Sequence, residues 1–79
     1  MKEFAVRLKE LRKERNISLM ALGKAIGVTD VAVMKWEKNI SEPTASNIKN
    51  LAIFFDVSTD YLLGIENYDY TKNTKNNQK

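Results

Sequence analysis

The stretch that most constrains this chain is residues 19–38, LMALGKAIGVTDVAVMKWEK, with Gly27 at its centre. Before the glycine, Leu22 and Ile26 fall four residues apart; after it come Val28, Val33 and Trp36. The first pair marks the apolar face of one helix, and Val33 and Trp36 mark that of a second. Gly27, Val28 and Thr29 are all that is left to join them. So short a connection makes the helices cross steeply, and a left-handed corner favours glycine because there is no Cβ to clash. Gly23 lies one turn before the corner, on the inner face of the first helix. The missing side chain there lets the second helix approach closely.

Small residue, apolar residue, glycine corner and apolar residues at fixed offsets are the signature of a helix-turn-helix. Such a unit places its second helix in the major groove of DNA. The composition is compatible with this and excludes most alternatives. Seventy-nine residues, 43% of them hydrophobic, suffice for one small domain. There is no cysteine and no histidine, which removes disulfides, thiolate metal sites, the commonest zinc ligand and the commonest general base. The carboxylates show no metal-ligand spacing, and no nucleophile–base pair can be assembled. No enzyme, metal, cofactor or small-molecule ligand is therefore expected. No apolar run approaches the roughly 18 residues of a membrane span. MKEFAVRLKE alternates charged and apolar residues, unlike a signal peptide. A cytoplasmic protein is expected.

The net charge of +3 is unevenly spread. Residues 1–15 carry six basic and three acidic side chains, residues 16–64 four and five, and residues 65–79 three and two. The central part, which holds the corner, is thus slightly acidic. A nucleic-acid binder usually has a stronger basic face there, so charge alone supports DNA binding only weakly.

The spacing predicts five helices. Phe4, Leu8 and Leu11 recur at i, i+4, i+7 in the first, from Lys2 to about Arg15, ended by a left-handed Asn16. Ser18 caps the second, to about Ile26, and Thr29 the third, from Asp30 to about Lys38, with Asp30 suited to the positive end of the helix dipole. Asn39 stops it. After the loop NISEP, Thr44 caps a fourth helix to about Phe55, with Ile48, Leu51, Ala52 and Phe55 inward. Ser58 caps a short fifth, Thr59 to Leu63, stopped by Gly64, with Leu62 and Leu63 closing the core. No strand pattern or repeat is present. From Ile65 the chain turns polar, and no fixed structure is expected beyond about Tyr70.

Taken together, LKELRKERNIS, the spaced Leu22, Gly23, Ile26, Gly27, Val28 and Val33, the Trp36–Glu37 pair, Pro43 and the closing VSTDYLLG carry a family resemblance. Residues 4–64 resemble the Cro/CI-type helix-turn-helix domain, the XRE family, of phage and bacterial repressors. The resemblance implies an all-α, compact five-helix bundle of the lambda-repressor-like type over residues 1–64, with residues 65–79 as a C-terminal extension. It implies that Arg12 of the first helix pairs with Glu37, as a structural ion pair. It also implies a double-stranded DNA partner, read by the exposed positions of the third helix: Asp30, Val31, Met34 and Lys35. Phosphate-contact candidates are Ser18, Thr29, Lys38, Asn39 and Asn47.

The implied activity is transcriptional repression by a homodimer on a pseudo-palindromic operator. Family dimers often use helix five and the residues just after it, and Ile53, Phe54, Tyr61, Ile65 and Tyr68 are the apolar candidates for that interface. Three places depart from the family, one being the loop after helix three, where Ile40, Ser41 and Glu42 replace the usual Lys or Arg. Leu19 stands where a phosphate-binding glutamine is usual, and Met20 where a polar residue is usual. The expected outer face of Leu19, Met20, Val31 and Met34 is then apolar. That favours an alternative of another class: a protein-interaction module, such as an anti-repressor or antitoxin, with weak or no DNA binding.

Overall fold

The computed structural model describes residues 1–69 and 71. Apart from Thr71, the run beyond about Tyr70 that is expected to be unstructured lies outside the described residues. Among the described residues there are five helices and no strand: α1 (Lys2–Glu14), α2 (Leu19–Ile26), α3 (Asp30–Glu37), α4 (Ala45–Phe55) and α5 (Thr59–Leu63). None is long and apolar enough to cross a membrane.

Each helix after the first starts on a hydroxyl. The side-chain oxygens of Ser18, Thr29, Thr44 and Ser58 accept the backbone N–H three residues on, at 3.0, 3.1, 3.2 and 2.9 Å. Each such cap satisfies a donor that the helix itself leaves orphaned and contributes about 1 kcal/mol. The helices stop where the chain turns left-handed, at Asn16, Gly27, Asn39, Asp56 and Gly64. Asp56 is a stop that the spacing does not announce. At φ 56° and ψ 46° it closes α4, and its N–H donates to the carbonyls of Ala52 and Ile53. α1 and α3 each end one residue earlier than the spacing suggests, with Arg15 and Lys38 as their C-caps.

The core is Phe4, Leu8, Leu22, Val33, Trp36, Leu51, Ala52, Phe55 and Leu62, contributed by all five helices. Leu11 is only half-buried, though it packs against the core, and Ile48 and Leu63 are half-buried too. Ala5, which the spacing does not mark, is buried. No buried side-chain polar atom among the described residues lacks a hydrogen bond.

Arg7 of α1 and Arg15, its C-cap, tie distant segments to this core. Arg15 donates to the carbonyls of Phe54 and Phe55, and its guanidinium lies 5.4 Å from the centre of the Phe55 ring. A cation on orphan carbonyls complements the negative end of α4. Arg7 stacks 4.5 Å over the Tyr61 ring, donates to the Tyr61 carbonyl at 2.6 Å and to Glu66 Oε1 at 2.8 Å. The residues just past α5 are thereby tied to α1. The hydrogen bond from Arg7 holds the Glu66 carboxyl below the usual carboxylate range, with a smaller backbone contribution in the same direction. A lowered carboxyl pKa means that the pair stabilises the fold fully above that range and is lost as pH falls through the lowered value. In an acid titration followed by carboxyl 13C shifts, Glu66 is expected to protonate at lower pH than a peptide glutamate. Arg7→Ala should move it most of the way back toward the peptide value.

Candidate nucleic-acid interface

The α2–α3 corner is built around two glycines. Gly27 adopts φ 83°, in the left-handed region, and its N–H and that of Val28 both donate to the Gly23 carbonyl at 2.8 Å. Gly23 is buried, and a Cβ on it would stand 2.6 Å from the Val28 carbonyl oxygen and 3.1 Å from the Thr29 carbonyl carbon. The close approach expected there is therefore present, with backbone as the obstacle.

α3 is fixed from its inner side. Val33 and Trp36 are buried. Just beyond Trp36, Glu37 receives both ends of the Arg12 guanidinium: Nε to Oε2 at 2.6 Å and Nη2 to Oε1 at 2.9 Å. The third nitrogen, Nη1, donates to the Ile17 carbonyl at 3.0 Å. The side chains are 13% and 6% exposed, so this bidentate pair is almost removed from water. The hydrogen bond to Glu37 raises the Arg12 pKa above its ordinary value, against the opposing effect of burial. One forked pair thus links α1, the α1–α2 connection and the end of α3.

The outer side of α3 presents Asp30, Val31 and Lys35 to solvent, with Met34 half-buried beside them. Val31 is 49% exposed. Asp30 is partly committed to the helix itself, since its Oδ1 accepts the Val31 N–H at 2.9 Å. That is the helix-start role a first-turn aspartate suits. Lys35 has no ion pair among the described residues. Ser18 and Thr29 are exposed at the starts of α2 and α3, where backbone N–H groups and the dipole favour an anion. Lys38 is exposed just past α3, and Asn47 is half-buried in the first turn of α4. Asn39 is exposed, but its Oδ1 accepts from the Met1 ammonium at 3.1 Å, and that ammonium also pairs with Glu42 at 3.3 Å. The ammonium offsets an acid in the loop after α3, a contact that no sequence pattern announces.

The apolar outer face is smaller than expected. Leu19 is half-buried and packs against the core, and Met34 is half-buried. Cα–Cβ bonds in a helix tilt toward its N-terminus, so the first residue of α2 covers the turn before it rather than facing outward. Met20, 57% exposed, and Val31 remain. The interface candidates also divide. Ile53 and Phe54 lie on α4, with Ile53 exposed and Phe54 half-buried edge-on to Phe55. Tyr61 is half-buried beneath Arg7, whereas Ile65 and Tyr68 are 39% and 48% exposed past α5. Among the described residues, no group of three or more acidic, histidine or cysteine side chains could hold a metal ion.

The helix-turn-helix family model matches residues 8–62. The chain belongs to the helix-turn-helix family. Within that family it is 40% identical over 57 residues to repressor protein C2 of Salmonella phage P22, a match that covers 72% of this chain and 26% of the repressor. It is 31% identical over 74 residues to the transcriptional activator BcrR of Enterococcus faecalis, covering 94% of this chain and 36% of that protein. The helix-turn-helix chain therefore spans well under half the length of these two relatives. Its fold is that of the P22 c2 repressor's DNA-binding domain. The crystal structure of that repressor with a synthetic operator is similar at TM-score 0.76 and 36% identity, covering 80% of this chain and 96% of that one. The solution structure of the domain is similar at TM-score 0.73 and 34% identity, covering 85% and 87%.

Proposed function

We propose that this chain is a sequence-specific double-stranded DNA-binding transcriptional repressor of the phage type. It acts in the cytoplasm as a homodimer on a pseudo-palindromic operator, each α3 in one major groove and the half-sites about one helical turn apart. Repression then results from occupying a promoter, with no catalytic chemistry and no cofactor. The observation that carries the reading is the treatment of α3. It is pinned from within by the Gly23 approach and the Arg12–Glu37 pair, while Val31 and Lys35 stand exposed. The fold is similar to one solved on operator DNA.

In this reading Lys35 donates to guanine O6 and N7, and Val31 touches a thymine methyl group. Met34 lies beside them. Asp30 is left with one free oxygen for a cytosine amino group. Ser18, Thr29, Lys38, Asn39 and Asn47 line the phosphates and set the register. Ile65 and Tyr68, exposed one turn apart past α5, are the dimer surface we favour. The retreat of Leu19 and Met34 into the body removes much of the support for a protein-interaction module on this face.

Two substitutions test the division of roles. Lys35→Ala should relax specificity at one base position in each half-site, with about 1–3 kcal/mol less discrimination there. Lys38→Ala should weaken all duplexes alike and reduce the salt slope by about one. Affinities over a panel of single-base operator variants at two salt concentrations read both. Identical behaviour of the two variants would contradict the assignment.

A further inference from the structure

Between the second half of α2 and the second half of α4 lies an open groove of about 370 Å³, lined by Ala25, Ile26, Asn50, Ile53 and Phe54. It shares no residue with the DNA stripe of α3 or with the phosphate candidates. Its floor is preformed, because Ile26 and Phe54 pack on the core and the Phe54 ring sits edge-on to Phe55 at 4.9 Å. Ile53 is 67% exposed, more than any other large hydrophobic among the described residues. Two cations border the groove. Lys49 stands one turn before Ile53 on the same face of α4, and the Arg15 guanidinium lies 5.9 Å from the Phe54 ring centre. Neither is in an ion pair among the described residues, and none of the groove's lining residues is acidic.

We propose that this groove docks an acidic amphipathic helix of a partner protein. Apolar side chains at i and i+4 of that helix rest on Ile26, Ile53 and Phe54, the Asn50 amide offers a polar anchor, and carboxylates face Lys49 and Arg15. Charge decides among the occupants. A second copy would bring a further Lys49 and Arg15 to the same interface, with no acid among the lining residues to offset them. DNA phosphates have no reason to seat on an apolar floor.

The test titrates the 15N-labelled full chain with a synthetic 18-residue helical peptide carrying leucines at i, i+4 spacing and glutamates elsewhere. A counterpart with lysine for every glutamate is the control. The acidic peptide should give saturable amide shifts confined to the second halves of α2 and α4, and the lysine peptide should bind at least tenfold more weakly. Ile53→Asp and Lys49→Glu should each weaken the acidic peptide at least tenfold with the spectrum still dispersed, and Lys49→Glu should leave operator affinity unchanged. Absence of saturable shifts, equal binding of both peptides, or shifts centred on Val31 and Lys35 would overturn the proposal. So would concentration-dependent shifts of the groove without peptide, or a loss of operator affinity in Ile53→Asp, either of which would make the groove a contact between copies.

Discussion

Glu37→Ala is expected to destabilise the fold by about 3–5 kcal/mol, because it leaves the Arg12 guanidinium buried without its counter-charge. The pair is bidentate and nearly dehydrated, at 13% and 6% exposure. A domain of this length has a total stability of only about 4–12 kcal/mol. The loss therefore corresponds to a fall in melting temperature of at least about 12 °C. Most of that cost is the orphaned charge and not the worth of the pair. Arg12→Met combined with Glu37→Leu should thus recover most of the lost stability, and thermal unfolding of the two single variants and the double variant measures the coupling. A double variant as unstable as Glu37→Ala would contradict this explanation. The bond of Arg12 to the Ile17 carbonyl lets the double variant fall somewhat short of the parent.

Gly23→Val is expected to cost about 3 kcal/mol or more, in the upper range for overpacking. The first added carbon meets the Val28 carbonyl oxygen at 2.6 Å, and backbone cannot swing aside as a side chain does. The whole corner must move, and α3 moves with it. Gly23→Ala meets the same obstacle with one carbon, and its better helix propensity returns up to about 1 kcal/mol. It should therefore lose only about 1 kcal/mol net. The graded series has a second readout. Where α3 is displaced, DNA affinity should drop further than the unfolded fraction accounts for. Denaturant unfolding and binding to a selected duplex, measured on the same three proteins, separate the two effects.

The elements legible in the amino-acid sequence are those encoded by local chemistry. Four hydroxyl caps and the stops at Asn16, Gly27, Asn39 and Gly64 each depend on one residue and its immediate neighbours. Asp56 escapes such a reading because aspartate in the left-handed region competes with its commoner use as a cap or turn residue. Leu19 is misplaced by carrying over the outward position of the family's glutamine, whereas a leucine there follows the tilt of side chains toward the N-terminus and packs on the core. Arg7 and Arg15 pass as part of a solvated face. Their partners lie 54 to 59 and 39 to 40 residues away, so no local pattern announces them. One signal is available: Arg7 falls three residues after Phe4, and Arg15 four after Leu11, on the side of α1 that turns inward. The Arg12–Glu37 pair is legible through the family resemblance, with which the apolar pattern agrees by turning both residues inward, and its forked geometry gives the physical reason for it.

That α3 reads a two-fold symmetric DNA site is tested most directly by repeated selection from a randomised duplex pool, with affinities of the enriched sequence then measured across a salt series. The expected result is a pseudo-palindrome with half-sites about one helical turn apart, and a log K that falls linearly as log salt rises. A pool that stays random, with no dependence on salt, would contradict the proposed DNA reading.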